Sequence, residues 1–154
     1  MFHDLALVYD PERRRCDVRF GADGEPEIDV TSITPVLISI GTDARAADDD
    51  ELPEGRTFLN DGLPGDRRGA PGDACDPSGV LSGCRMWLLD RAKHTETTRR
   101  FVELWLAEGL AWAGDTGAPA EIEVRWLAPE RLGYRVHVAG RGIERRLLPP
   151  VGAA

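Results

Sequence analysis

The sequence predicts an α+β fold, with strands at both ends and helices between them. Three observations carry this reading. Segments near both termini alternate apolar and polar residues with a period of two. Apolar residues between them recur at helical spacing, and the two kinds of segment come in blocks instead of βαβ units. One domain over residues 1–150, followed by a 151–154 tail, is expected for a chain of 154 residues.

The first element reads as a β-hairpin. Asp4–Tyr9 places Leu5, Leu7 and Tyr9 on one face, and Cys16–Phe20 does the same for Cys16, Val18 and Phe20. The Asp10-Pro-Glu-Arg-Arg14 stretch joins them, and Gly21–Pro26 is a loop by composition. Ile33, Val36, Leu37 and Ile40 then follow i, i+3, i+4, i+7 spacing, which predicts a first helix. Thr34 is expected at its cap and Pro35 at its first helical position. Its β-branched residues make its helicity depend on packing.

Residues 47–80 hold six Gly, four Pro and seven Asp in 34 positions. Structureless loops longer than about 12–15 residues are uncommon inside compact domains, so this one is expected to act through, or be ordered by, a partner. A second helix is predicted over Ser82–Lys93, and Thr95 caps a third over Glu96–Ala113. Phe101, Val102, Trp105, Leu106, Leu110 and Trp112 spread over more than half of that third helix. Glu96, Arg100 and Glu103 leave only a narrow polar stripe, which places the helix either centrally in the core or under a partner.

The C-terminal segment alternates again. Ala120–Leu127 sets Ile122, Val124 and Trp126 against Glu121, Glu123 and Arg125. Tyr134–Val138 sets Tyr134, Val136 and Val138 against Arg135 and His137, and Ile143–Leu148 is a weaker third strand. Antiparallel strands with one dry face are predicted.

Composition narrows the function. A net charge of −8 opposes polyanion binding, and the arginine pairs at 67–68, 99–100 and 145–146, like Arg13–Arg15, are short and close to acids. No nucleic-acid partner is expected. The longest apolar runs fall far short of the ~20 residues of a membrane span, and the first ten residues lack the form of a secretory signal. The chain is therefore expected to stay in the cytoplasm of the cell that makes it. Cys16, Cys75 and Cys84 lack any CxxC spacing and are expected to be reduced thiols.

No motif for catalysis emerges. His3, His94 and His137 lack metal-ligand spacing with one another or with the cysteines. Ser39 and Ser82 sit in no nucleophile elbow, and Cys84 lies on an apolar helical face. Asp48-Asp-Asp-Glu51 lacks the alternation of a calcium loop. Gly65-Asp-Arg-Arg-Gly-Ala-Pro-Gly-Asp73 lacks the phosphate-loop signature, and its arginines suit carboxylate pairing, within the chain or across an interface. Neither enzyme activity nor a cofactor or metal is expected.

Several strings in order carry a resemblance. Val36-Leu-Ile-Ser-Ile-Gly-Thr-Asp-Ala-Arg45, Gly65-Asp-Arg-Arg-Gly69, Gly72-Asp73 and Arg85-Met-Trp-Leu-Leu-Asp-Arg-Ala-Lys93 together resemble the baseplate protein family of Mu-like phages. The similarity runs over about residues 4–140. That family in turn looks like the small, lysozyme-like wedge protein, or sheath initiator, of T-even-type baseplates. The resemblance implies a structural protein of the virion tail baseplate, assembled in the host cytoplasm, with one copy in each of six wedges. Its implied partners are larger baseplate wedge proteins, tail sheath subunits that augment its strands, and the tail hub or tube. Ala111-Trp-Ala-Gly114 stands where the wider group often carries Glu-Pro-Arg, so a role resting on that triplet does not transfer. Ala70 and Pro71 replace two common aromatics.

The expected partner contacts are Asp66, Arg67, Arg68 and Asp73 in the loop, then Trp87, Arg91, Trp105 and Trp112 on the helices. Ile122, Val124, Trp126, Tyr134 and Val136 complete the set, with edge addition expected on 120–127 or 133–139. The rival readings are a wall-degrading tail lysozyme, which needs two carboxylates flanking a cleft, and a tail-assembly adaptor absent from the finished particle.

Overall fold

The computed structural model describes residues 3–10, 12–13, 15–53, 67–90, 92–129 and 131–147, the last strand by its backbone alone. Its N-terminal segment has three short arms. β1 (Asp4–Leu5) pairs antiparallel with β4 (Ile28–Asp29), and β2 (Leu7–Asp10) pairs antiparallel with β3 (Arg15–Val18). A Phe20–Pro26 bridge closes the third arm. The arms meet in a ring of main-chain bonds: Arg19 donates to Ala6 at 2.8 Å, Ala6 to Glu27 at 2.8 Å, and Glu27 to Arg19 at 2.9 Å. The expected hairpin is therefore present as the β2–β3 pair, while Asp4 and Leu5 leave it at Ala6. Their partner, Ile28–Asp29, is too short for alternation to reveal. Leu5 and Phe20 are exposed and are not part of a dry face.

Helix α1 (Ile33–Gly41) starts earlier than expected. Ser32 occupies the N-cap position and Pro35 is the third helical residue, where its missing N–H still costs no intrahelical bond. The capping is done from outside the helix. The Asp29 carboxylate accepts from the main-chain N–H of Thr31 at 2.7 Å and of Thr34 at 2.8 Å. Thr34 Oγ1 accepts from Leu7 N–H and donates to the Leu5 carbonyl, while Ser32 Oγ donates to the Val138 carbonyl at 2.9 Å. One helical turn thus ties the N-terminal arms to the C-terminal sheet.

That sheet has the order β5-β6-β7, from β5 (Glu121–Ala128), β6 (Arg131–Val138) and β7 (Arg141–Leu147), all antiparallel. The third strand, weakest in the sequence, is a full member. Val124, Leu132, Tyr134, Val136 and Val138 line the dry face, against Val102, Trp105 and Leu106 of α2 (Glu96–Gly109) and Val36 and Ile40 of α1. Glu121, Glu123, Arg125 and His137 lie on the exposed face. Thr95 caps α2 as expected, its Oγ1 accepting from Thr98 N–H at 3.2 Å.

Two helical expectations are corrected. Over Ser82–Lys93 the only helical stretch among the described residues is a 3₁₀ turn, Arg85–Leu89. The reason is upstream: Cys84 N–H donates to the Thr42 carbonyl at 2.9 Å, and Ala44 N–H to the Cys84 carbonyl at 3.1 Å. Cys84 is held extended by this bridge, so no helix can begin before Arg85. Helix α2 ends at Gly109 instead of Ala113, and a separate turn, α3 (Trp112–Asp115), follows. The break lets both Leu110 and Ala113 face the core.

A glycine stands at each of these breaks and allows a close backbone approach. Gly83 has φ +97°, and a Cβ there would sit 2.4 Å from the Thr42 carbonyl oxygen. A Cβ on Gly109 would sit 2.6 Å from the Gly83 carbonyl oxygen. Gly109→Ala at a free helical position would add about 1 kcal/mol of stability. Here it should remove about 1–3 kcal/mol in denaturant unfolding, because backbone must shift, and Gly83→Ala should cost more because its φ is also disfavoured. A neutral Gly109→Ala would refute this close approach.

Asp29 yields a second prediction. Burial pushes its carboxyl upward, but the hydrogen bonds from Thr31 and Thr34 outweigh that, and it titrates at about 2 instead of 3.8. A folded value below the unfolded one stabilises fully at neutral pH, fades below about pH 4 and is gone below about pH 2. Asp29→Asn should cost about 1–2 kcal/mol at pH 7 and flatten the stability loss in that acid window. An unchanged acid slope would contradict the assignment.

Candidate interaction surface

Both described arginines of the long loop are engaged within the chain. Arg67 is buried, and its guanidinium donates to the carbonyls of Ala47 and Asp48. Arg68, in the left-handed region at φ +49°, pairs with Asp43 at 2.6 Å and lies over the Trp87 ring at 4.5 Å. Arg85, which the sequence reading did not single out, joins Asp50 at 2.7 Å and Glu108 at 2.6 Å, above Trp105. Burial alone would lower its pKa, but those two carboxylates raise it. Arg67 therefore joins the described ends of the loop, 47–53 and 67–70, to each other, while Arg68 and Arg85 tie them to the 3₁₀ turn and α2.

The other expected contact residues distribute as follows. Asp66 and Arg91 lie outside the described residues. Asp73 accepts from Ser82 N–H at 3.0 Å. Trp87 is buried and donates to the Ala44 carbonyl at 2.8 Å, and Trp112 donates to Ser39 Oγ at 2.9 Å. Trp105 is buried beneath Phe101, stacked at 5.1 Å between centroids. Tyr134 and Val136 are core residues of β6. Because β6 is paired on both sides, 133–139 cannot be an augmentation edge, and that expectation is corrected.

β5 is an edge strand, and its phase can be derived. Ala139 (φ +53°) and Gly140 (φ +73°) form a two-residue turn with both central residues at positive φ, the type I′ geometry. Such a turn makes Val138 and Arg141 a hydrogen-bonded pair. Alternation then aims the main chain of Gly133, Arg135 and His137 at β5, so Glu121, Glu123 and Arg125 face β6 in return. The N–H and C=O groups of Ile122, Val124 and Trp126 consequently face the open edge. Their side chains line the helix-covered side, with Val124 buried and the other two half-buried.

At the middle of this edge stands Arg99. Its Nη1 donates to the Val124 carbonyl at 3.4 Å, while its guanidinium also bonds Glu96 and Glu103. The i, i+3 and i, i+4 spacing of these three residues was the sequence signal available for it. Elsewhere the surface is apolar in places: Leu5, Phe20, Ile28 and Val30 on the N-terminal arms, and Phe101 and Leu104 on α2, are exposed. Among the described residues, no group of three or more His, Cys, Asp or Glu is placed to hold a metal ion. No helix among them is long and apolar enough to cross a membrane.

A family model described as Phage protein GP46 matches residues 32–144. The chain is also similar to "Baseplate protein gp46" of Escherichia phage Mu, at 37% identity over 123 residues, covering 79% of this chain and 75% of that protein. No solved structure matches the chain significantly. The family match begins at the N-cap of α1, after the N-terminal arms, and takes in the loop, both long helices and most of the sheet.

The cysteines offer a check on the packing. Cys84 is buried, its thiol donates to the Trp105 carbonyl at 3.2 Å, and burial pushes its pKa up to about 11. Cys16 and Cys75 are exposed. In the native protein at pH 8, a thiol reagent should label Cys16 and Cys75 and spare Cys84 until denaturant is added. Fast native labelling of Cys84 would contradict its place under α2.

Proposed function

From the premise that the chain belongs to the Phage protein GP46 family, we propose that it is a structural, non-catalytic component of a contractile phage tail baseplate. In this reading it sits in the baseplate wedge, joins larger wedge proteins, and starts the tail sheath by accepting a strand from a sheath subunit. Six copies per baseplate, contact with the hub or tube, and assembly in the host cytoplasm before incorporation into the virion complete it.

The observation that carries the reading is the open edge of β5. Three residues turn their main-chain groups outward along one line where no strand pairs, with only the Val124 carbonyl met, by Arg99, next to a sheet whose dry face is already covered. An extended segment can add there through main-chain hydrogen bonds without disturbing the core. The name of the Mu relative, a baseplate protein, supports the location. Ile122, Val124 and Trp126 are then the contact residues, whereas Arg67, Arg68 and Trp87 organise the loop that other wedge proteins meet.

The test uses co-expression with the neighbouring tail genes and capture through this chain. Ile122→Pro removes one outward N–H and leaves the β6 ladder intact, which an edge strand tolerates. Capture of the sheath subunit should fall by about ten-fold or more while the larger wedge proteins are still retained. Equal capture by the folded variant would sink edge addition. Presence in assembly intermediates but absence from finished particles would favour an adaptor, and wall hydrolysis by the purified chain would favour an enzyme.

A further inference from the structure

An open edge is a hazard before its proper partner arrives, because any other strand can pair with it. In this protein the middle of the edge is occupied. Arg99 projects from the flank of α2 that faces β5, in line with Glu96 and Glu103. Its Nε donates to both Glu96 carboxylate oxygens at 3.0 Å and its Nη2 to Oε1 at 2.8 Å, while Nη1 donates to Glu103 Oε2 at 3.0 Å. The same Nη1 reaches the Val124 carbonyl at 3.4 Å. Among the described residues, no such bond is made to the outward main-chain groups of Ile122 or Trp126.

We propose that Arg99 is a displaceable guard on the β5 edge, which keeps copies of this chain from pairing with one another and yields to a full incoming strand. The proposal rests on the reading of β5 as the edge that accepts a strand. The geometry explains both halves. Four short, charge-assisted contacts to Glu96 and Glu103 hold the guanidinium in place whether or not the carbonyl is bound. The contact to Val124 is the longest of the set, so an arriving N–H takes that carbonyl without breaking the clamp. A strand making a single tentative bond must compete with Arg99 at the centre of the edge. A strand that also bonds Ile122 and Trp126 gains on both sides and displaces it. The residue is three-quarters covered, with a side-chain exposure of 24%, so it is held by its surroundings and does not wave in solvent.

The experiment is sedimentation velocity of the purified full chain at rising concentration, with thermal melts to verify folding. Arg99→Ala should strengthen self-association by about ten-fold or more over wild type, and adding Ile122→Pro should cancel the gain. Arg99→Lys keeps the charge but cannot span both glutamates and the carbonyl, so it should show a smaller gain, and it decides the matter if the alanine variant does not fold. A folded variant no more associated than wild type overturns the guard, as does a gain that survives Ile122→Pro. The strand-accepting reading fails separately, if capture of the sheath subunit ignores Ile122→Pro.

Discussion

The arrangement depends on a backbone crossing in which only glycine fits. The stretch after α1 runs past Gly83 and Cys84, and the end of α2 rests on the Gly83 carbonyl at Gly109. A Cβ at either glycine would overlap a carbonyl oxygen of the neighbouring segment and force the backbones apart. Once they touch, much else is placed. Cys84 falls under Trp105, Trp87 reaches the Ala44 carbonyl, and α2 lies close enough to the sheet for Val102 and Leu106 to be fully buried. The crossing also brings the two described ends of the long loop, 47–53 and 67–70, to one side of the molecule, where Arg67 can span them.

This accounts for what was and was not legible in the sequence. Elements whose residues answer to one neighbouring layer were legible: the alternating strands of the C-terminal sheet, the capped start of α2, and the apolar spacing of α1. Elements set by a remote backbone were not. The run after Ser82 reads as a helix because Met86, Trp87, Leu88 and Leu89 are apolar and continuous, yet Thr42–Ala44 claims the main chain of Cys84 first. The cap of α1 was misplaced for a similar reason, since the group that caps it is the carboxylate of Asp29, outside the usual cap position. The turn at Ala139–Gly140 lacks the Asn-Gly signature that would have announced its type.

The edge strand was partly legible. Period-two alternation identified Ile122, Val124 and Trp126 as one face of a strand, and β5 is indeed at an edge of the sheet. Alternation does not say which strand is central, so Tyr134 and Val136 could not be told from edge residues until pairing was known. Arg67 and Arg68 stood out by their spacing between glycines and aspartates, and the pairing of Arg68 with Asp43 is of the expected chemical kind. Arg85 and Arg99 were missed because their carboxylate partners either are remote, as with Asp50, or look like ordinary helix-surface pairs, as with Glu96 and Glu103.

On the proposed reading, an edge that accepts a strand late in assembly is poorly served by the usual means of protection. A proline facing outward, a long bulge or a covering segment would suppress wrong pairings and the right one alike. The irregularity in β5 lies between Trp126 and Ala128, towards the turn, and leaves the centre of the strand regular. Protection by one long hydrogen bond from a clamped guanidinium has a different character. It raises the threshold for a first contact and adds little to the work of a complete strand, because the charge pairs that position it survive the exchange. The side chains at this edge face inward while the hydrogen-bonding groups face out; the strand withholds its apolar surface and offers only its backbone, and the proposed recognition then needs a partner extended enough to match all three residues at once.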